Sequence, residues 1–165
     1  MPEPSPRSLP LLDVPVADAT LAEALARIEG WMTAPERRTH LVFFVNAHTL
    51  NLACEDPAYR RVLCSADAVY GDGTGVRDNV NGTDLVPRLR SGFVGRGFRY
   101  FLLGATEPAI ARAAEHARRA FPAWELSGAH HGYLDEAGSA RVVETIRAAR
   151  PHLLLVGMGN PRQEQ

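Results

Sequence analysis

The run Tyr70-Gly71-Asp72-Gly73-Thr74-Gly75 sets one carboxylate among glycines. Glycine lets backbone approach a ligand closely and adopts left-handed conformations at no steric cost. A carboxylate so placed can take a proton from an attacking hydroxyl, acting as a general base. The same letters also describe an ordinary Asp-Gly turn, and on this segment alone both readings stand.

Three other segments carry chemistry-bearing side chains beside glycines. Gly104-Ala105-Thr106-Glu107-Pro108 leads into a helix, whose free N–H groups suit a phosphate, although plain capping by Thr106 needs no ligand. It is neither GxGxxG nor a Walker loop, so no standard dinucleotide or triphosphate fingerprint is present. Gly128-Ala129-His130-His131-Gly132-Tyr133 offers two imidazoles and a phenol. Adjacent histidines on extended backbone point to opposite sides, so one is expected at a ligand and the other in solvent or a turn. No carboxylate or cysteine stands at metal-ligand spacing from them, and no metal is expected. Gly157-Met158-Gly159-Asn160-Pro161-Arg162-Gln163-Glu164 joins flexible backbone to amide, guanidinium and carboxylate groups able to hold a nucleotide or sugar; a solvated helix start is the plainer reading.

What positions these segments is an alternation of strands and helices. Residues 1–10 are proline-rich and polar and read as a disordered lead-in, followed by a short strand over Leu11 to Val16. Asp18 or Thr20 caps a helix with Leu21, Leu25, Ile28 and Trp31 at helical spacing. His40 to Asn46 is a continuous apolar run, as in a strand buried on both faces. Helices follow over Ala47–Ala53 and, after the Asp56-Pro57 cap, to near Leu63, and then a strand over Ala66–Tyr70. Strands over Arg99–Gly104, Trp124–Ser127 and His152–Gly159 alternate with helices from Thr106 to about Ala120 and from Gly138 to Arg150. Such alternation implies an α/β fold, a Rossmann-like parallel sheet flanked by helices in one domain, with ligands at the carboxyl ends of the strands. All the segments above follow strands.

Composition narrows the classes. The 165 residues, 45% hydrophobic and 22% charged, suit a globular domain. A formal net charge of −1 with mixed signs offers nothing to nucleic acid. Cys54 and Cys64 have no zinc or redox spacing and read as half-buried thiols in a reducing cytoplasm. The N-terminus lacks a signal-peptide core, and no apolar run reaches the roughly 18 residues of a spanning helix, so any membrane contact is peripheral. A cytoplasmic location, extending to the inner face of the membrane, is expected.

In chain order these segments resemble the WecG/TagA/CpsF family of bacterial glycosyltransferases. The resemblance is carried by Asn46 with Leu50-Asn51-Leu52-Ala53, Asp56-Pro57 and Arg60, Ala66-Asp67, Asp72-Gly73-Thr74-Gly75-Val76, Gly82-Thr83-Asp84-Leu85, Phe101–Gly104, Gly128 with His131-Gly132-Tyr133, and Val156–Glu164. It implies transfer of a sugar such as N-acetylmannosamine from a UDP-sugar to a polyprenyl-diphosphate-linked sugar. Such products serve teichoic acid, enterobacterial antigen or exopolysaccharide synthesis. Inversion at the anomeric carbon is implied, with no cofactor and no metal, and the chain lacks an Asp-x-Asp motif. By matching position, Asp72 would be the catalytic base and Asn46 would help position the sugars. Gly73, Gly75, Asp84, Gly104, His131, Gly132, Tyr133, Gly157, Gly159, Pro161, Arg162, Gln163 and Glu164 would contact substrate.

The chain also departs from that pattern. Phe44 stands where members usually carry threonine, and Asn79 where an arginine is usual, in a shortened stretch between Val76 and Gly82. Members continue past the position of Gln165, so residues 11–165 are expected to be a C-terminally shortened glycosyltransferase domain. A catalytically weak nucleotide-sugar-binding remnant is the alternative. A nicotinamide oxidoreductase is a third reading, weakened by the missing glycine fingerprint. Apolar surface left by a terminal strand makes a homo-oligomer a further expectation.

Overall fold

A computed structural model describes residues 7–36, 38–72, 80–92 and 97–165, with backbone alone over 90–92. Contacts divide it into two compact units: the chain up to Leu89 together with Glu164 and Gln165, and Arg90–Gln163. Each contains a parallel pairing, and the fold is mixed α/β as expected.

A hairpin stands where one strand over Leu11 to Val16 was expected, taking in Ser8–Pro10 of the expected lead-in, whose residues 1–6 lie outside the described residues. Strands β1 (Ser8–Leu11) and β2 (Val14–Ala17) pair antiparallel, with Leu9 opposite Val16. The turn residues Leu12 and Asp13 both take positive φ, 49° and 64°. A Leu-Asp turn lacks the Asn-Gly or Asp-Gly signature of such hairpins, which is why no turn was legible there. Helix α1 (Leu21–Thr33) starts at Thr20, whose side chain accepts from Glu23 N–H while Glu23 reaches back to the Thr20 backbone.

Strands β3 (Val42–Val45) and β4 (Ala68–Gly71) are parallel, with Val42 opposite Ala68 and Val45 opposite Gly71. Two short helices connect them. Asn46 caps α2 (Ala47–Glu55), and Asp56 accepts from Ala58 and Tyr59 N–H to start α3 (Pro57–Cys64). One face of α3 buries Tyr59 and Leu63, four residues apart, against Val14, Val16, Val45, Ala53 and Val69. Full burial of a leucine such as Leu63 contributes roughly 2–3 kcal/mol. Val42, Phe43 and Phe44 are only half-buried, so β3 is not the doubly covered strand its apolar run suggested. Cys54 and Cys64 are exposed rather than half-buried, and both are free thiols.

Helix α4 (Gly82–Gly92) was not legible in the sequence, because Pro87 lies inside it and glycines stand at its ends. Asn81 starts it, accepting from Asp84 N–H at 2.8 Å.

In the second unit β5 (Arg99–Gly104) is central, with β6 (Glu125–His130) and β7 (Leu153–Gly157) parallel on either side. Helix α5 (Glu107–Ala120) joins β5 to β6, and α6 (Glu136–Ala149), capped by Asp135, joins β6 to β7. Strand β6 therefore runs three residues past the expected Ser127 and takes in His130. Phe98, Tyr100, Phe121 and Trp124 pack edge-on and tilted at its base. On β7, Leu154 and Val156 alternate outward and are exposed, so that strand is not fully buried.

The start of the β3–β4 pairing is held by Asp67. Its Oδ2 accepts from Leu41 N–H at 2.9 Å, and its Oδ1 lies 2.8 Å from Arg38 and 3.3 Å from His40 Nδ1. His40 stacks on Trp31 with centroids 4.3 Å apart. Burial raises the Asp67 pKa, but the Leu41 N–H and the Arg38 and His40 charges outweigh it and hold the carboxyl below its usual value. A lowered carboxyl pKa stabilises the fold at every pH above the unfolded value near 4, and that contribution disappears as pH falls through the folded value. Asp67→Asn is therefore expected to cost on the order of 1 kcal/mol at neutral pH and progressively less below about pH 4. Denaturant titrations at both pH values check this; an equal penalty in acid would refute the role of the charge.

Candidate active site

Asn46 and Asp72 end up side by side. Each is the residue after the terminal register pair Val45–Gly71 of two hydrogen-bonded parallel strands, which lie about 4.8 Å apart. Asp72 N–H closes the ladder on Val45 C=O at 2.7 Å, and Gly71 C=O accepts from Val80 N–H at 3.0 Å. The Asp72 side chain is half-buried. Its carboxylate has no partner among the described residues. Asn46 is exposed, and its Oδ1 accepts from Thr49 N–H (3.1 Å) and Thr49 Oγ1–H (2.9 Å). That fixes the amide plane and leaves the Nδ2 donors without a partner among the described residues, aimed by the cap rather than by a ligand. Gly73 and Gly75 lie outside the described residues.

Tyr70, just before the Gly71-Asp72 pair, is buried beside Phe44. Burial pushes its pKa up against the opposing Arg27 charge, so the phenol stays protonated and is no candidate base. A Cβ added at Gly82 would meet the Phe44 ring at 3.8 Å, ordinary van der Waals distance. Asp84 Oδ2 accepts from Asn81 Nδ2 at 2.9 Å, reinforcing the start of α4.

Glu164 is likewise placed differently from the expectation of a cleft residue. It is buried in the first unit, where its Oε2 accepts from the buried Tyr59 hydroxyl at 3.1 Å. Nothing in the local sequence signals that pairing, because its partner lies more than 100 residues away.

In the second unit the three strand ends converge. Ala105 N–H donates to Gly157 C=O at 3.1 Å, and Gly132 N–H to Ala105 C=O at 3.0 Å. Gly104 has φ 143°, and a Cβ there would run into the Gly157 carbonyl; a Cβ on Gly132 would stand 2.8 Å from the Met158 side chain and 3.0 Å from Gly104 Cα. Glycine at both positions is therefore a packing requirement. Gly159 takes φ 80°. Gln163 closes the turn after β7, its N–H on Gly159 C=O and its Oε1 accepting from Gly159 N–H. Pro161 follows a cis peptide bond inside that turn. Arg162 donates to Leu134 C=O at 2.8 Å, so it is partly committed to the segment after β6. Thr106 begins α5 without a side-chain cap bond.

His130 and His131 do not point apart. Their rings lie 4.4 Å apart, because β6 ends at His130 and the chain turns there, with His130 Nδ1 at 2.9 Å from His131 O. His131 Nε2 also faces Glu107 at 3.6 Å. Both histidines, with Tyr133, Leu134 and Asp135, line one open cleft of about 580 Å³ whose other wall is Gly138, Arg141, Val142 and Thr145 of α6. Tyr133 is 70% exposed. The sequence reading missed Asp135, Arg141 and Thr145; the available signal was helical spacing, with Asp135 and Arg141 three residues from Gly138 and Thr145 four beyond Arg141. Among the described residues, no group of three or more histidine, cysteine or acidic side chains is arranged to hold a metal ion, and no helix is long and apolar enough to cross a membrane.

Comparison with known proteins bears on both clusters. The family described as glycosyl transferase WecG/TagA/CpsF matches residues 9–165. An N-acetylglucosaminyldiphosphoundecaprenol N-acetyl-beta-D-mannosaminyltransferase of Bacillus spizizenii is 32% identical over 123 residues, 68% of this chain and 47% of that protein. The enzyme of the same name from Staphylococcus aureus is 27% identical over 168 aligned positions, 94% of this chain and 65% of that protein. The chain thus spans about half to two-thirds of the length of these relatives.

The crowding at the second unit's strand ends gives a direct test. Gly104→Ala adds a Cβ against the Gly157 carbonyl at a backbone angle alanine rarely adopts, and is expected to cost about 2–5 kcal/mol. Gly157→Ala, where no atom lies within 4 Å, is expected to stay within about 1 kcal/mol of the parent. Thermal melts of the two variants decide this; equal losses would refute the packing assignment.

Proposed function

Because the chain belongs to the WecG/TagA/CpsF family of glycosyl transferases, we propose that it moves a hexose or N-acetylhexosamine, such as N-acetylmannosamine, from a UDP-sugar to a polyprenyl-diphosphate-linked sugar during cell-surface polysaccharide synthesis. The observation that carries this reading is the pairing of an uncommitted carboxylate, Asp72, with a cap-oriented amide, Asn46, at neighbouring strand ends.

In the reaction Asp72 takes the proton of the acceptor hydroxyl as its oxygen attacks the anomeric carbon. The bond from that carbon to the UDP oxygen breaks as the new glycosidic bond forms on the opposite face, so one displacement inverts the centre. Asn46 Nδ2 donates to a sugar oxygen and fixes its approach. The nucleotide is held by residues at the second unit's strand ends: Gly104, His131, Gly132, Tyr133 and the Gly157–Gln163 turn. Charge growing on the departing diphosphate is met by backbone N–H groups and cationic side chains, without a metal. The acceptor resides in the membrane, so the protein works at its inner surface.

Asp72→Asn is expected to keep the parent melting temperature and lose about 10²–10⁴-fold in transfer rate. The measurement is mass detection of lipid-linked product from a UDP-sugar panel with a synthetic polyprenyl acceptor. A folded variant turning over near the parent rate would sink the base assignment.

A further inference from the structure

The cleft beside β6 contains a cation to which no role has been given. Arg141 lies on α6 on the same face as Gly138, Val142 and Thr145 and opposite His130, His131 and Tyr133. Arg119 is committed to Glu115, Arg147 to Glu144, Arg99 to Arg150 C=O and Arg162 to Leu134 C=O, and Arg112, Arg118 and Arg150 do not line the cleft. Arg141 has no such partner among the described residues, and it is the arginine among those lining the cleft.

The neighbouring polar groups are mostly occupied. Thr145 Oγ1–H donates back to Arg141 C=O at 2.9 Å, and Asp135 Oδ1 is held by Gly138 N–H at 2.6 Å. The cleft therefore offers an exposed aromatic face at Tyr133, one free carboxylate oxygen at Asp135 and the Arg141 guanidinium. An aromatic face suits a base, a carboxylate oxygen suits ribose hydroxyls, and a guanidinium suits phosphate.

We propose that Arg141 is the phosphate-binding residue for the nucleoside diphosphate part of the sugar donor. The assignment rests on the donor reading given above and adds a side chain to it. Asp135 is the acidic side chain lining the cleft, and its Oδ1 is already bonded to Gly138 N–H. Glu107 faces His131, not Arg141, in the contacts the structure shows.

The test uses the full chain and NMR titration with UDP, UMP and uridine. Arg141 is exposed, so Arg141→Ala is expected to melt as the parent does. It should bind UDP at least about tenfold more weakly while uridine affinity stays unchanged, and Arg141→Lys should recover part of the loss. Equal weakening of UDP and uridine, or UDP affinity equal to the parent's, would overturn the assignment while leaving the donor reading intact. Failure of the parent chain to bind UDP at all would overturn both.

Discussion

The ladder between β3 and β4 is closed at each end by an aspartate. At its start the Asp67 side chain takes the Leu41 N–H; at its finish the Asp72 backbone N–H meets Val45 C=O. Between them the register admits one pairing, because a one-residue slip would turn Val45 or Val69 away from the core that Tyr59 and Leu63 of α3 share with them. The position of the candidate base relative to Asn46 follows from that register. A carboxylate on a free loop would carry the entropy of finding the acceptor; one continued from a hydrogen-bonded strand does not.

The second unit reaches a comparable rigidity by crowding. Three strand ends approach so closely that Gly104 and Gly132 have no room for a Cβ, and backbone bonds run from Gly132 to Ala105 and from Ala105 to Gly157. Glycines that looked like flexible linkers to a ligand are first of all what lets the strand ends meet. The cleft next to them is formed by a turn, His131 to Asp135, and by one stripe of α6.

Much of this was legible in the chain itself. Continuous apolar runs marked β3, β4, β5 and β7, and the expected caps Thr20 and Asp56 begin helices through side-chain bonds, as does Asn46, which was read only as the polar end of its strand. The hairpin turn at Leu12-Asp13 and helix α4 around Pro87 were not legible, because each uses residues whose local preference opposes the conformation adopted. Asp84 and Glu164 were read as ligand contacts. In the structure one oxygen of Asp84 accepts from Asn81 and one of Glu164 from the distant Tyr59 hydroxyl. The opposed histidines followed from assuming extended backbone past His130, where β6 ends.

By itself the sequence determined the α/β class, the order of strands and helices apart from the first hairpin and α4, the family and the location of polar segments at strand ends. These depend on patterns spanning a few residues and on spacing along the chain. Only the tertiary structure decided which polar groups are already bonded to protein and which have no partner among the described residues. Asp72 and Asn46 remain available because pairing places them past the last rung of a ladder. Arg141 joins the cleft because helix α6 turns that stripe toward the end of β6. Hydrogen-bond satisfaction is a property of neighbours brought together by folding, and most of those neighbours are far apart in the chain.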